Sequence, residues 1–393
     1  MSRPRIGIFA HSTNPRGGVV HAMQLAEALC DAGEDATLLA PSPGNARFFR
    51  ATRCPAILIP AEPATQDVEL LVRRRRLDIA AFLRAPDAPR FDILHAQDSI
   101  SALAFSDLVD EGRITGFVRT VHHLDDFASP HLTLWQDEAV RRAADLFCVS
   151  RLWQAELERR FGRTSRLVGN GVDTARFSPL PGPRDRVLRD RLLPGRKPGQ
   201  PDACMILALG GIEARKNILG TVRAFLSLAE QDNHPNLHLV IAGGASLLDH
   251  AATRAAFERT LRGSAQAHRI ILAGIIDDAD MPSLYRNAAM LCFPSLQEGF
   301  GLCVIEAMAS GIPVIVPHGA PFDEYLQAGD AILVDPASDA SIADGILQAM
   351  QPDMIRHAHI NGPARAADFS WRQVASDHAV HYRRFHPELT EHA

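Results

Sequence analysis

Residues 292–317 read CFPSLQEGFGLCVIEAMASGIPVIVP, and their pattern decides the fold. An apolar run at 289–293 has the length of a buried strand. The glycines within 299–301 allow a tight turn, and the apolar pattern at 302–309 is typical of a helix. Residues 314–316 form a further short apolar run with strand character. A strand, a glycine loop, a helix and a second strand together predict half of a doubly wound α/β sheet.

The start of the helix at 302–309 is a candidate anion-binding site. Its first backbone N–H groups have no partner within the helix, and the helix dipole favours negative charge there. Glu298 lies on the loop before this start, and Glu306 lies about one and a half turns inside the helix. A phosphate bound between two carboxylates that accept hydroxyl groups indicates a sugar nucleotide. The alternative is an ordinary βαβ unit whose glutamates face solvent.

Glu298 and Glu306 carry a resemblance to a known family. Seven residues separate them and EGFG stands at the front, which resembles the E-x7-E motif of the retaining family 4 glycosyltransferases with their two-domain GT-B fold. The resemblance implies that the first glutamate lies beside the donor sugar, in a catalytic position, and that the second binds the ribose hydroxyl groups. The residues of the helix start that we expect to contact the donor are Gly299, Phe300, Gly301 and Leu302.

Length and composition favour two ordinary globular domains. The chain has 393 residues, more than one α/β core usually holds, and 46% of them are hydrophobic. A net charge of −5 argues against a general nucleic-acid binder. The six cysteines include no C-x-x-C pair, which favours free thiols in a reducing cytosol. Without a signal peptide or an apolar run of about 20 residues, we expect a cytoplasmic protein.

A double glycine follows the first predicted strand. Residues 6–10 are apolar, residues 11–16 form a polar loop, and Gly17 and Gly18 begin an amphipathic helix that ends at Gly33. A strand, a double glycine and a helix form a phosphate-binding arrangement, but tight helix–strand packing explains the two glycines about as well. In the family that the chain resembles, this double glycine faces the donor diphosphate across the interdomain cleft, which makes both glycines candidate donor contacts.

A histidine pair follows a later strand of the first half. Residues 116–121 predict that strand, and ligands of open α/β sheets gather at the C-terminal ends of strands. His122 is therefore better placed for function than most of the 17 histidines. The segment resembles the T-x-H-D motif of the family, with His123 in place of the aspartate, which implies a catalytic His122 on the acceptor side. The alternative is a strand-end imidazole bonded to a backbone carbonyl group.

Lys216 is the candidate that neutralises the leaving diphosphate. It follows a predicted strand at 204–209 and is one of only two lysines in the chain. An ammonium group at that position stabilises charge on a departing phosphate. The segment GGIEARKN at 210–217 resembles the family motif G-R-L-x-x-x-K-N, but Gly211 occupies the arginine position. Arg215 is the candidate to supply the missing guanidinium, although its side chain could equally point away.

Residues 178–202 are rich in Pro, Gly and Arg and form the best candidate domain boundary. The preceding NGVD at 170–173, with Phe177, resembles the segment that closes the first domain of the family. The last helix of the family crosses back onto the first domain. The expected organisation is an N-terminal Rossmann-like acceptor-side domain at 1–178, a linker at 179–202, a C-terminal Rossmann-like nucleotide-sugar-binding domain at 203–369, and a crossover helix and tail at 370–393.

Gly274 is the remaining candidate donor contact. It follows a predicted strand at 270–273. The stretch from this strand to Glu298 resembles the family's approach to E-x7-E, in which the backbone after the strand contacts the base of the donor.

Four consecutive arginines, 73–76, lie in a predicted helix at 67–84. A run of like charges usually marks a solvated helix face. Contact with an anionic acceptor or a membrane surface is the less favoured alternative.

The motifs occur in the family's order over nearly the whole chain. We therefore expect an α/β protein of the GT-B class, with two doubly wound domains facing a cleft. The expected function is a retaining transfer of sugar from a nucleotide-diphosphate sugar to an acceptor hydroxyl, without a metal or other cofactor. The alternatives are a GT-B sugar-nucleotide epimerase, a phosphorylase, or a non-catalytic sugar-nucleotide sensor, for which the substitution at Gly211 is the only indication.

Overall fold

The computed structural model describes residues 3–44, 46–193, 203–231, 234–244 and 250–385. The chain divides into two compact units. Unit 1 comprises Met1–Gly171 and Ser370–Ala393, and unit 2 comprises Val172–Phe369. Each unit is built around one parallel β-sheet, so each is described separately below.

The sheet of unit 1 has seven parallel strands among the described residues, in the order β3-β2-β1-β4-β5-β6-β7. Its central strands are buried on both faces, and β4 and β5 include the buried polar side chains of His95, Arg119 and Thr120. The strands are β1 (Arg5–Phe9), β2 (Asp35–Pro43), β3 (Ala56–Ala61), β4 (Ile93–Ala96), β5 (Val118–Val121), β6 (Asp145–Cys148) and β7 (Arg166–Leu167). The helices are α1 (Gly17–Asp31), α2 (Val68–Arg84), α3 (Ser99–Asp110), α4 (Pro130–Arg142) and α5 (Arg151–Phe161).

The sheet of unit 2 has six parallel strands among the described residues, in the order β10-β9-β8-β11-β12-β13. Its strands are β8 (Cys204–Leu209), β9 (Leu237–Ala242), β10 (Ile270–Gly274), β11 (Met290–Cys292), β12 (Val314–Pro317) and β13 (Ile332–Val334). Its helices are α6 (Asp185–Leu192), α7 (Ile218–Ala229), α8 (Ala251–Arg262), α9 (Met281–Asn287), α10 (Leu302–Ala309), α11 (Asp339–Ala349) and α12 (Pro352–Ala366), and the last helix of the chain, α13 (Trp371–Phe385), belongs to unit 1.

Local sequence chemistry fixes several of these helix ends. The Asp67 carboxylate accepts a hydrogen bond from the Leu70 amide at 3.0 Å and so caps α2. Asp98 caps α3 in the same way through the Ser101 amide at 2.8 Å. Such side-chain acceptors replace the hydrogen bonds that the first turn of a helix lacks. Neither α1 nor α10 has a side-chain cap, which leaves the N-termini of these two helices open.

Each sheet reverses its strand order at one point. In unit 1 the switch lies between β1 and β4, and in unit 2 it lies between β8 and β11. Loops that leave the C-terminal ends of strands at a switch point diverge to opposite sides and create a crevice that binds ligands. The two sheets therefore offer equivalent crevices, and the segments 10–16, 97–98, 210–217 and 293–301 border them.

The predicted doubly wound architecture is confirmed, including the return of the C-terminal helix to unit 1. Val374 and Ala375 of α13 are buried, as is Tyr382, whose side chain is 1% exposed. Tyr382 also donates or accepts a hydrogen bond at 2.6 Å with Nδ1 of His95 on β4. The helix is therefore an integral part of the core of unit 1.

The proline-rich segment differs from a simple linker. The division between the units falls after Gly171, and Asp185–Leu192 forms helix α6 within unit 2. The Asp185 carboxylate accepts a hydrogen bond from Arg286 of α9 at 2.7 Å, and Leu188 is buried. The composition of the segment conceals this short amphipathic pattern. The rest of the predicted linker, 194–202, lies outside the described residues, as does the tail after 385.

All six cysteines are free. No helix among the described residues has both the length and the apolar character needed to cross a bilayer.

Candidate functional site

Two loops of unit 2 bring a lysine and a glutamate into contact. The loop after β8 carries Lys216, the loop after β11 carries Glu298, and Nζ lies 2.5 Å from Oε1. β8 and β11 are neighbours in the sheet, so the switch point brings these two loops together. Glu298 is only 8% exposed. This ion pair forms the centre of the candidate site.

Hydrogen bonds fix the two loops to each other. Asn217 adopts a left-handed backbone conformation with φ of 53°. Its side-chain Nδ2 donates to the carbonyl oxygens of Pro294 at 3.1 Å and Pro336 at 2.7 Å. The Leu296 amide donates to the carbonyl oxygen of Arg215 at 2.7 Å. The candidate side chains Lys216 and Glu298 therefore extend from loops that hydrogen bonds hold together, which preorganises them.

The charges around Glu298 keep it ionised. Burial on its own raises the pKa of this carboxyl, but the nearby charges of Lys216 and Arg215 outweigh burial and hold the pKa below its usual value. Arg215 Nη1 lies 3.8 Å from Glu298 Oε1. Lys216 Nζ also lies 4.7 Å from the centre of the Phe293 ring, within the range of a cation–π contact.

The backbone explains why Gly211 cannot carry the arginine of the family motif. A Cβ atom at Gly211 would lie 2.4 Å from the carbonyl oxygen of Gly244, a distance that requires the backbone to move. Arg215 instead directs its guanidinium to the site, where it contacts Glu298 and, through Nε, the Glu213 carboxylate at 3.4 Å. Of the two orientations left open by the sequence, Arg215 therefore has the one that faces Glu298.

Aromatic packing holds the open N-terminus of α10. Gly301 adopts φ of 93°, and a Cβ atom there would lie 2.9 Å from the ring of Phe322. The ring of Phe300 stacks on Tyr325 at 4.5 Å between centroids, and the Tyr325 hydroxyl donates to the Phe300 carbonyl at 2.9 Å. The segment from Gly299 to the first helical residue, Leu302, is thus held in one conformation beside Glu298.

Glu306 lies within α10 in a different electrostatic environment. The Tyr285 hydroxyl donates a hydrogen bond to its Oε2 at 2.7 Å. Burial raises the pKa of Glu306 to about 7, against the opposing effects of the Tyr285 hydrogen bond and the Arg176 charge. Arg176 is itself paired with Asp278 at 2.8 Å. Glu306 therefore exchanges its proton near neutral pH, whereas Glu298 does not.

Gly274 ends β10, the edge strand of the sheet in unit 2. It adopts φ of 66°, and its carbonyl oxygen accepts a hydrogen bond from the Gly243 amide at 2.8 Å. Two strands, β9 and β8, separate it from β11. The structure thus places Gly274 on the same sheet but on a different loop from Lys216 and Glu298.

The candidate residues of unit 1 also lie together at the C-terminal ends of its central strands. Gly17 and Gly18 begin α1 directly after the loop that follows β1. A Cβ atom at Gly18 would lie 3.4 Å from Cδ2 of His122, which follows β5. Gly17 has no atom within 4 Å of its Cβ position. Gly18 and His122 are therefore neighbours, and Gly17 lies on the open side of the helix start.

His122 is held as a neutral imidazole. Burial is the main cause that lowers its pKa well below the usual value, and the surrounding His21, His123, His95 and Arg119 act in the same direction. The rings of His21 and His122 pack edge to face with centroids 4.7 Å apart.

Sequence reasoning missed two partners of these residues. Tyr285, which bonds Glu306, lies in α9, inside the stretch that resembles the family's approach to E-x7-E, but the resemblance gave this residue no role. The second is Gln97, whose Oε1 lies 2.9 Å from Nε2 of His122. The available signal for Gln97 was its position immediately after β4, at the C-terminal end of a central strand.

The described residues contain no group of three or more His, Cys, Asp or Glu side chains arranged to hold a metal ion. The positive charge of the site in unit 2 comes from Lys216 and Arg215.

Two Rossmann-like sheets, each with an open helix N-terminus at its switch point, define a two-domain α/β fold. Comparison with known sequences identifies the family. Residues 15–176 match the family described as Glycosyltransferase Family 4, and residues 196–363 match the family described as Glycosyl transferases group 1. The chain belongs to the group 1 glycosyltransferases of the GT-B class, and the enzyme is a glycosyltransferase.

Related sequences agree with this placement. The chain is 28% identical over 394 residues to a phosphatidyl-myo-inositol mannosyltransferase of Mycolicibacterium smegmatis, and the match covers 95% of this chain and 92% of the relative. It is 34% identical over 172 residues to O-antigen chain mannosyltransferase B of Escherichia coli, with 43% of each chain covered.

Solved structures share the fold. A sucrose-phosphate synthase from Thermosynechococcus elongatus superposes with a TM-score of 0.79 at 21% identity, covering 98% of this chain and 100% of the other. Anabaena HepE in complex with UDP-glucose superposes with a TM-score of 0.76 at 18% identity, covering 97% and 100%.

Proposed function

We propose that the enzyme transfers a hexosyl group from a nucleotide-diphosphate sugar to an acceptor hydroxyl with retention of configuration. The observation that supports this most directly is the buried contact between Lys216 and Glu298 at 2.5 Å, beside the uncapped start of α10. Cations and free backbone N–H groups stabilise a departing diphosphate. An ionised carboxylate in the same place stabilises positive charge that develops on the sugar.

The proposed reaction proceeds on one face of the sugar. The bond between the anomeric carbon and the diphosphate oxygen breaks, and a bond from the acceptor oxygen to the anomeric carbon forms. The acceptor proton passes to the departing phosphate oxygen, so the products are the glycoside and the free nucleoside diphosphate. Lys216 and Arg215 supply the positive charge in this scheme, and no step passes through a metal ion.

The donor nucleotide belongs, in this proposal, to unit 2. Glu306 has one carboxylate oxygen bonded to Tyr285, which leaves the other to accept ribose hydroxyl groups. The backbone of 299–302 contacts the diphosphate, and Gly274 lies on the side of the base. Unit 1 carries the acceptor, with neutral His122 as its hydrogen-bonding residue and Gly17 and Gly18 as further phosphate contacts.

The relatives suggest where to begin with substrates. Two of them are named as mannosyltransferases, and the HepE structure is titled as a complex with UDP-glucose. We therefore propose a mannosyl or glucosyl donor. Six free thiols agree with a reducing compartment, and we propose that the reaction takes place in the cytoplasm.

A donor panel tests the class of reaction. UDP-, GDP- and ADP-linked hexoses are incubated with the enzyme and a set of polyol, glycan and glycolipid acceptors, and free nucleotide and glycoside are quantified. Transfer predicts equal amounts of nucleoside diphosphate and glycoside. An epimerised nucleotide sugar, phosphate-dependent release of sugar phosphate, or binding without turnover would each contradict the proposal in a different way.

The two glutamates test the assignment of roles. Glu298→Gln should lower kcat by about 10²–10³-fold with free nucleotide affinity retained, because charge develops near the sugar only in the transition state. Glu306→Gln should weaken donor and free nucleoside diphosphate by similar factors and raise KM, because the ribose changes little during reaction. Calorimetry with nucleoside diphosphate and assays of nucleotide release separate the two. If both variants behaved alike in both measurements, the assignment would be wrong.

A further inference from the structure

Gln97 connects the candidate acceptor residue to a buried network of unit 1. It directly follows β4 and is 3% exposed. Its Oε1 lies 2.9 Å from Nε2 of His122, and its Nε2 lies 3.2 Å from Nε2 of His95. His95 is fully buried and is held by the Tyr382 hydroxyl at Nδ1 and by the Thr120 hydroxyl, 2.8 Å from Nε2. The amide of Gln97 therefore bridges two histidine rings.

The two ends of an amide have opposite hydrogen-bonding roles. A carbonyl oxygen can only accept, so with Oε1 toward His122 the proton of that ring lies on Nε2. The NH₂ group of Gln97 donates toward His95, whose Nε2 then accepts and whose Nδ1–H donates to the Tyr382 hydroxyl. Each contact in the chain from Tyr382 to His122 thus has a donor and an acceptor.

Other groups around His122 do not compete for its Nε2–H. The titratable and charged residues that face it are His21 from α1, His95 from β4, Arg119 from β5 and the adjacent His123. Of these, His21 uses its Nδ1 for a 2.7 Å hydrogen bond to Asn170 and contacts His122 through the ring. Within the part of the chain that the structure describes, Nδ1 of His122 has no hydrogen-bond partner.

We infer that Gln97 is a positioning residue that fixes His122 as the Nε2–H tautomer and so keeps Nδ1 as the ring atom that accepts a hydrogen bond from substrate. A ring that is neutral and fixed in one tautomer accepts from a hydroxyl without first changing its protonation, as orienting partners of functional histidines achieve elsewhere. The link to substrate rests on the proposed acceptor role of His122, whereas the tautomer itself does not depend on it.

Nuclear magnetic resonance of ¹⁵N-histidine-labelled full-length enzyme tests the tautomer directly. The resonances of His122 are assigned from their loss in His122→Asn. We expect wild-type His122 to show a protonated Nε2 and an unprotonated Nδ1. In Gln97→Met, which keeps the length of the side chain but lacks the amide, the two tautomers should mix. Gln24→Met, at a buried glutamine of α1, is the matched control and should leave the His122 signals unchanged.

A second variant covers the case in which Gln97→Met fails to fold. Gln97→Glu retains an acceptor for Nε2–H, so it should preserve the tautomer and raise the pKa of His122 by placing a carboxylate against the ring. An unchanged tautomer in Gln97→Met, or an Nδ1–H form in the wild type, would overturn the inference.

Turnover separates the inference from the proposed function. Gln97→Met should lower kcat by about 3- to 10-fold, the value of one hydrogen bond, with donor affinity unchanged, and Gln97→Glu should recover part of the loss above the pKa of His122. If the tautomer changed while turnover did not, Gln97 would still position the ring, and the acceptor role of His122 would be wrong.

Discussion

The two sheets have the same strand order around their switch points, yet their ligand edges differ in chemistry. In unit 2 the loops after β8 and β11 present charged side chains, with Lys216 and Arg215 around the ionised Glu298. In unit 1, Gln97 after β4 and His122 after β5 form a neutral network with His95 of β4. The same topology therefore supports one edge built from charge and another built from uncharged hydrogen bonds.

The difference follows from the way in which each edge accommodates buried ionisable groups. A buried carboxylate is stable only beside opposite charge, and unit 2 provides two cations for Glu298. The histidines of unit 1 instead lose their charge, because burial lowers their pKa values. A charged edge suits a diphosphate, and a neutral edge suits a hydroxyl acceptor. Topology thus decides where a ligand binds, and the side chains decide which kind.

Removing the lysine should disrupt the charged edge most strongly. Lys216→Ala should lower kcat by about 10²–10³-fold, roughly 2.7–4 kcal/mol, because one charge-assisted contact to the leaving group is lost. It should also raise the pKa of Glu298, whose burial is then opposed mainly by Arg215. Nucleotide release on the best donor is the measurement. Arg223→Gln, which removes a cation of α7 paired with Asp339 of α11, is the charge-matched control. Turnover of Lys216→Ala close to the control would contradict the leaving-group role.

The neutral edge should be sensitive to acid. Burial lowers the pKa of His21 to about 4 and the pKa of His378 to about 3, and both rings lie in unit 1. Burial likewise lowers the pKa values of His95 and His122 in the same unit. The pKa values of these histidines are lower in the folded protein than in the unfolded chain. Their contribution to stability is therefore complete above about pH 6.5, and it is lost as the pH falls toward the pKa values of the folded state. His21 and His378 should each lower the free energy of unfolding by roughly 1 kcal/mol between pH 7.5 and pH 5.5.

One substitution isolates a single histidine of that set. His378→Leu should reduce the loss of stability between pH 7.5 and 5.5 by roughly 1 kcal/mol, measured by urea unfolding at both pH values. His268→Leu removes an exposed histidine and should leave the pH dependence unchanged. If the wild type and His378→Leu lost the same free energy of unfolding between pH 7.5 and 5.5, His378 would not stay neutral in the folded protein.

The proton of Glu306 should make nucleotide binding pH-dependent. With a pKa of about 7, raised mainly by burial, the ionised form that accepts ribose hydroxyl groups is gained as the pH rises, so affinity should tighten from pH 5.5 to 8. Tyr285→Phe removes a hydrogen bond that lowers this pKa and should move the midpoint upward by about one pH unit or less. Calorimetry across this range measures the midpoint. Tyr325→Phe removes a hydroxyl that bonds Phe300 and should leave the midpoint in place. A midpoint unmoved by Tyr285→Phe would assign the pH dependence to another group.

The arginine run should have the smallest effect on either edge. Arg76 forms two hydrogen bonds to Asp107, at 2.8 and 2.5 Å, and buried Arg75 bonds Asp78 at 2.9 Å. The guanidinium carbon Cζ of Arg73 lies 5.1 Å from the centre of the Trp135 ring. The side chain of Arg74, the remaining arginine of the run, is exposed.

Replacing the two outer arginines, at 73 and 74, tests whether they differ in role from the ion-paired arginines at 75 and 76. Changing residues 73 and 74 to Gln should alter nucleotide affinity by less than about twofold, as expected for solvent-exposed charges. Arg76→Gln should instead lower the free energy of unfolding by about 1.5–3 kcal/mol through its lost charged hydrogen bonds. Loss of donor affinity in the outer pair would contradict this placement. Loss of binding to anionic vesicles alone would support the less favoured surface-contact interpretation.

The sequence by itself determined the class of fold and predicted that the main candidate site residues follow strands. Buried parallel strands are short apolar runs, and glycines with a following helix pattern mark the loops, so Lys216, Glu298 and His122 could be placed at strand ends. These signals are local. The helix Asp185–Leu192 was missed because Pro and Gly dominate the composition around it.

Only the tertiary structure decided which side chains meet. The Lys216–Glu298 pair joins residues 82 apart, and the Gln97–His122 pair joins residues 25 apart through neighbouring strands. Partner choice depends on which strands are adjacent and on the direction of each side chain, and no local pattern encodes either. The different protonation of Glu298 and Glu306 has the same origin, because a pKa depends on burial and on charges that folding brings near.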